Sequence, residues 1–340
     1  MAIDNHIIEV TTLPCCSVRF STTCLSCVLL LTHLCVAPST AQDHPGIPAG
    51  CSSDPALTAA LHEAVAGAGL DSTFSTEDGP EQISFAVIDL TTTPPRYGDL
   101  HGMVFIYPAS VYKLYVALEV LHQVSSGVYA LYDTVVVRSP NDVDRSREIP
   151  DDPRPLLHDG DTVTVNYLLD LMITRSDNTA ANCLIDRAGR KGINRTVHAF
   201  GWNGSEVTRK FLSRRFEDPG YDTIRGTETC ALHLADLMTR AWQRTLVNPW
   251  VSMQMLALLG RQLDRGKLAP GLPGTAMFYH KTGWYGDWTN DVGIVDDGEV
   301  RYVIACLLPV REELATERMR ILSERVYGIM KSRLAANRKQ

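Results

Sequence analysis

Ser110-Val111-Tyr112-Lys113 places a hydroxyl and an amine three residues apart, on one face of any helix that carries them. Farther along come Ser176-Asp177-Asn178 and then Lys281-Thr282-Gly283. Together these are the parts of serine-based acyl transfer. Ser110 is the candidate nucleophile, and Lys113, held in a partly desolvated cleft, can take its proton. Ser176 can relay a proton to a leaving nitrogen, and Asn178 can hydrogen-bond a substrate amide. Lys281 adds positive potential beside Ser176. Thr282 and Gly283 offer a strand edge that a ligand can approach closely, and the Trp284 N–H can pair with that of Ser110 as an oxyanion hole. Each motif alone is equally a helix cap or a surface lysine, so their combination and order carry the reading.

The elements that would position these residues are legible in the hydrophobic pattern. Pro108 opens a helix with Val111, Leu114, Tyr115, Leu118 and Leu121 on its apolar positions, so Ser110 falls in the first turn, where backbone N–H groups favour developing negative charge. Asp54-Pro55 starts an earlier helix. Strands are expected at 83–88 and 103–106, after a turn at 91–97, and again at 276–279, 291–295 and 302–308. Helices are expected at 165–173, 179–188, 229–243 and 250–259, and a last amphipathic helix carries Ala315, Met319, Leu322, Val326 and Ile329. The two ends thus build an antiparallel sheet flanked by terminal helices, an α+β arrangement with an all-helical lobe inserted. The α/β lobe is expected at about 52–125 and 271–340, the helical lobe at about 126–270, with a cleft at their seam.

Composition narrows the class. The 340 residues are 45% hydrophobic and 21% charged, which is ordinary for a globular chain, and the net charge of −7 offers no basic footprint for nucleic acid or anionic membrane. Five of the nine cysteines crowd the first tenth of the chain, and no later pair has zinc-site spacing. None of the ten histidines forms a ligand-spaced pair, so no metal or organic cofactor is implied. Arg19, the apolar run from Cys24 to Ala37, and Ser39-Thr40-Ala41 read as a signal peptide over 1–41, which makes a periplasmic or secreted protein the expectation. No later segment is apolar enough to span a membrane, and a monomer is expected.

The stretch Met172-Ile173-Thr174-Arg175-Ser176-Asp177-Asn178-Thr179-Ala180-Ala181-Asn182 resembles the corresponding segment of class A serine β-lactamases. Asp161-Thr162-Val163-Thr164-Val165 before it and Gly192-Ile193-Asn194 after it resemble that family too, and the order of motifs is matched over roughly 55–335. The resemblance implies a β-lactamase/transpeptidase-like fold with a five-stranded antiparallel sheet and an acyl-enzyme on Ser110. It departs at two places. The family's Glu-x-x-Leu-Asn loop, whose glutamate activates the deacylating water, has no full match. Phe216-Glu217-Asp218-Pro219-Gly220-Tyr221 leaves Glu217 as the candidate base. The arginine often found on the strand after Lys-Thr-Gly is missing from Trp288-Thr289-Asn290-Asp291-Val292-Gly293, which opens the question of substrate.

Three readings follow. The first is an exported hydrolase that opens a β-lactam ring through Ser110. The second keeps the fold as a penicillin-binding-type D-Ala-D-Ala peptidase or esterase. The third is a β-lactam-binding module that is acylated and deacylates slowly.

Overall fold

Asp54 and Pro55 do start a helix: Asp54 Oδ1 accepts the Leu57 N–H at 2.9 Å, and α1 runs Pro55–Gly67. The computed structural model describes residues 47–338 apart from 49, 147–151, 218–219 and 221–222, all within the unit Gln42–Gln340. The expected signal peptide lies outside the described residues.

Six strands form the main sheet in the order β1, β5, β4, β10, β9, β8. They are β1 (Ser52–Ser53), β4 (Ser84–Asp89), β5 (Arg96–Leu100), β8 (Met277–Tyr285), β9 (Trp288–Asp296) and β10 (Arg301–Leu308). The last five pair antiparallel, and the two-residue β1 adds to β5 in parallel. Side chains alternate between two cores, as the pleat requires. Phe85, Val87, Tyr302, Ile304 and Leu308 meet α1 and the 26-residue α8 (Glu312–Asn337) on one face, where Arg333 of α8 ties back to Asp54 at 2.6 Å. Ala86, Ile88, Val303, Ala305 and Leu307 meet the helical lobe on the other.

The second strand departs from the sequence reading. The apolar run 103–106 is not a strand, and β5 forms at Arg96–Leu100, inside what the sequence marks as turn and link. Gly98 accounts for this: a Cβ there would stand 2.9 Å from Leu57 Cγ and from Thr58 N, so its absence lets α1 press onto β5. The run 103–106 instead approaches the site with one bridge, Ile106 to Thr229. Beneath that bridge runs a buried chain of hydroxyls, from Tyr115 through Thr229 and Ser205 to His233 Nδ1, at 2.7, 2.7 and 2.8 Å.

The helical lobe comprises α2 (Lys113–Ser125), α3 (Val165–Thr174), α4 (Asn178–Ala188), α5 (Arg190–Ala199), α6 (Ala231–Gln243) and α7 (Pro249–Leu259). α2 is buried from Lys113 through Leu121 and packs among α3, α4, α5 and α7. It is therefore the core of the helical lobe, although its sequence position falls inside the expected α/β segment. Two small antiparallel pairs complete the strands among the described residues, the hairpin of β2 (Phe74–Thr76) with β3 (Gly79–Glu81), and β6 (Thr134–Val136) with β7 (Thr162–Thr164). No helix among the described residues is long and apolar enough to cross a membrane.

His233 on α6 makes this lobe sensitive to acid. Burial lowers its pKa from 6.5 to about 4. The unfolded ring takes a proton below about 6.5, whereas the folded ring resists protonation until about 4, so stability present above 6.5 is lost as pH falls through that window. The expected loss is up to about 3 kcal/mol. Denaturant midpoints measured at several pH values between these limits should fall for the native protein, and His233→Gln should flatten the slope.

Candidate active site

Ser110, the candidate nucleophile, stands at a junction. Ala109 takes φ +45°, the left-handed region that costs a residue with a Cβ, and leads from Pro108 into a 3-10 turn over Ala109–Tyr112. α2 follows at once, so Ser110 and Lys113 share a face. Lys113 is fully buried, and its Nζ lies 3.1 Å from Ser110 Oγ. The same ammonium donates to Ser176 O at 2.7 Å, to Ser176 Oγ at 3.1 Å and to Asn178 Oδ1 at 2.7 Å.

Ser176 also sits at positive φ, +59°, which lets both its carbonyl and its hydroxyl turn toward Lys113. Arg175 and Asp177 brace this bend. The buried Arg175 guanidinium donates to Asp177 Oδ2 at 2.8 and 3.2 Å and to the carbonyls of Arg154 and Pro155, while Asp177 Oδ1 caps α4 through the Ala180 N–H at 2.7 Å. Asp144 completes the support, accepting from the Asn178 backbone N–H at 2.6 Å and side-chain amide at 3.2 Å. The sequence contains no signal for Asp144, which lies on a loop 34 positions before Asn178.

The third side is β8, the terminal strand of the sheet. Its hairpin with β9 turns through two residues, Gly286 and Asp287, between the paired Tyr285 and Trp288. In such a hairpin the pair flanking the turn exchanges both hydrogen bonds, so alternation leaves the amides of Trp284 and Thr282 facing away from β9, along the free edge. Gly283 presses this edge against the nucleophile's turn: a Cβ on it would lie 2.7 Å from Ser110 N, 2.8 Å from Pro108 O and 2.8 Å from Val111 N. Lys281, also fully buried, donates to Ser176 Oγ at 3.0 Å and to Thr282 O at 2.7 Å. Ser176 Oγ is thus bridged by two ammonium groups, where a hydroxyl can pass a proton between a lysine and a leaving atom. A cleft of about 230 Å³ opens here, with Ser110, Ser176, Asn178, Thr282, Gly283 and Trp284 among its walls. It shares Asn178 and Tyr285 with a neighbouring groove of about 890 Å³.

Eight of the nine residues singled out in the sequence, Ser110, Lys113, Ser176, Asn178, Lys281, Thr282, Gly283 and Trp284, meet at this seam. Glu217 does not join them. Its carboxylate is 1% exposed, accepts the Lys210 N–H at 2.9 Å and faces Arg190 Nη1 at 3.6 Å. Among the described residues of that loop, Phe211 reaches Lys113: its ring lies 4.2 Å from Nζ and stacks on Tyr112 at 4.5 Å between centroids. Asn182 pins Phe211 there, accepting its N–H at 2.7 Å. One Glu217 oxygen accepts the Lys210 N–H and the other, buried without a hydrogen bond, faces Arg190, so Glu217→Gln is expected to change the deacylation rate less than about threefold. Single-turnover decay of the acyl adduct checks this, and a loss of about a hundredfold would place Glu217 at the reacting water.

His280 is also buried, paired with Asp291 at 2.9 Å and stacked on Phe278, which gives it a structural place in the strand. No cluster of His, Cys, Asp and Glu among the described residues could hold a metal ion. Cys183, Cys230 and Cys306 are buried free thiols.

A sheet built from both ends of the chain, an inserted helical lobe and a serine–lysine pair at the seam define a serine β-lactamase-like hydrolase. The chain belongs to the β-lactamase enzyme family, whose model matches residues 70–330. No curated protein matches it. Among solved structures, it is similar to a PBP-A mutant described as an acyl-enzyme complex with penicillin G, at 22% identity and a TM-score of 0.66 over 83% of this chain and 98% of that one. A β-lactamase from Sphaerobacter thermophilus DSM 20745 matches at 20% identity and 0.66, covering 81% and 98%. The ancestral GNCA class A β-lactamase matches at 22% and 0.65, covering 80% and 99%. At these identities the likeness is one of fold.

Proposed function

We propose that this protein is an exported serine hydrolase that opens β-lactam rings through an acyl-enzyme on Ser110. The observation that carries the reading is the convergence of Ser110, Lys113, Ser176 and Lys281 in one hydrogen-bonded cluster beside the free edge of β8. Lys113, after giving up one proton, accepts the Ser110 hydroxyl proton as Oγ attacks the lactam carbonyl carbon. The negative oxygen that forms faces the Ser110 and Trp284 N–H groups. As the C–N bond breaks, the proton passes from Lys113 through Ser176 to the leaving nitrogen, with Lys281 keeping the Ser176 hydroxyl oriented. Water then releases the opened product and restores Ser110. The acyl-enzyme described for the PBP-A mutant supports the first half of this sequence on the same fold.

A second reading, acylation followed by slow deacylation, is favoured by one observation: Phe211 lies against Lys113 while the Glu217 carboxylate is held by Lys210 and Arg190. Both readings are tested by following penicillin G, a D-alanyl-D-alanine peptide and a simple ester, each for product release and for adduct lifetime. Steady release of opened penicillin supports the hydrolase, and a stoichiometric burst with a lasting adduct supports the trap. Turnover of peptide or ester with no reaction of penicillin would reject the β-lactam reading in favour of a peptidase or esterase.

A further inference from the structure

Asp264, on the loop after α7, puts a carboxylate into the cleft that holds Ser110, Ser176 and Thr282. Its side chain is 35% exposed. One oxygen accepts the Gly266 N–H at 3.1 Å, and the other accepts Lys267 Nζ at 2.8 Å. Lys267 is 2% exposed and donates equally to Glu312 Oε1 at 2.7 Å, so a single ammonium serves two carboxylates. Asp264 and Arg175 are the charged residues lining the cleft, and the Arg175 guanidinium is 1% exposed and paired with Asp177 at 2.8 Å, so the carboxylate of Asp264 is the charge that faces the opening. Burial alone would raise the Asp264 carboxyl, but the Lys267 charge and the donors around it, the Thr282 hydroxyl included, outweigh burial and hold its pKa at about 2. It therefore stays ionised at any working pH.

Resting on the acyl-transfer reading above, Thr282 marks where the leaving-group side of a substrate meets the strand edge. Lys281, the nearest cation on that strand, is directed to Ser176 Oγ and to the Thr282 carbonyl. No arginine follows on β9 to offset Asp264. A carboxylate arriving beside Thr282 meets a fixed negative charge, whereas an amide N–H or an ammonium meets an acceptor. We infer that Asp264 is a specificity-determining residue that selects acyl donors whose leaving-group side ends in an uncharged or cationic group and disfavours those ending in a carboxylate.

Penicillin G and its methyl ester present the same lactam carbonyl and differ in whether the carboxylate is charged or capped by a methyl group, so their rates of adduct formation, read by intact mass in the native protein and in Asp264→Asn, report on that charge. In the native protein the ester is expected to acylate about tenfold faster. Asp264→Asn is expected to raise the penicillin G rate about tenfold and to leave the ester rate within about twofold. The native comparison decides even if the variant fails to fold: equal rates, or a faster penicillin G, overturn the inference while leaving Ser110 as nucleophile intact. An unchanged ratio in folded Asp264→Asn also overturns it. Failure of both compounds to acylate the native protein removes the β-lactam reading on which the inference rests, and the inference with it.

Discussion

Lys113→Ala is expected to slow acylation of Ser110 by about 10³–10⁴-fold. Lys113 is hydrogen-bonded at once to Ser110, Ser176 and Asn178, and it is fully buried. Removing it deletes the proton acceptor beside the nucleophile and leaves three polar groups facing a small void. The rate should fall far more than the fold weakens, because those groups border the cleft, where water can replace the amine. Adduct formation with penicillin methyl ester, followed by intact mass beside a thermal melt, separates the two effects. A variant that acylates within tenfold of the native rate would place the base elsewhere.

Gly283→Ala should do comparable damage from the opposite side of the cleft. The atoms a methyl group would strike, Ser110 N, Pro108 O and Val111 N, are all backbone, so no side chain can swing aside. Either β8 or the nucleophile's turn must retreat, and the Trp284 and Ser110 N–H groups then no longer converge on one oxygen. A misplacement of about 1 Å in such a site costs about 10²-fold in rate. The expected outcome is a fall in acylation of about 10²–10³, with a stability loss of about 1–3 kcal/mol from overpacking. Rates within threefold of native would mean that this edge takes no part in binding the oxyanion.

Much of this was legible in the sequence because the chemistry demands particular residue types at short range. Ser110 and Lys113 share a helical face by spacing alone, and Gly283 is the residue a close backbone approach requires. The sheet built from both chain ends followed from apolar runs at 83–88 and 302–308. What escaped depends on contacts between distant segments. Asp144 reaches Asn178 across 34 positions, and Phe211 reaches Lys113 through a loop whose path no periodicity marks. β5 hid in a stretch containing Gly98 and Asp99, poor strand formers whose use is explained by the closeness of α1. The run 103–106 looked more like a strand, yet its partner is a single residue, Thr229. Glu217 lay in the expected region, but the direction of its carboxylate is set by Lys210 and Arg190 rather than by its position in the chain.

The geometry also divides the chemistry into two halves. From Ser110 through Lys113 and Ser176 to Lys281 each group lies within 3.1 Å of the next, whereas among the described residues of the neighbouring loop it is the Phe211 ring that lies against Lys113. On the proposed acyl-enzyme reading, turnover depends on how fast water reaches the ester carbonyl, and adduct lifetime distinguishes a working hydrolase from a slow one.

The most direct test of the central claim is intact-mass analysis after exposure to penicillin G and its methyl ester, with peptide mapping of any adduct, for the native protein and for Ser110→Ala. The account predicts a gain of one acyl group mapped to Ser110 in the native protein and none in the variant. An adduct that persists in Ser110→Ala, or a native protein that both compounds leave unmodified and that releases no opened product, would contradict it.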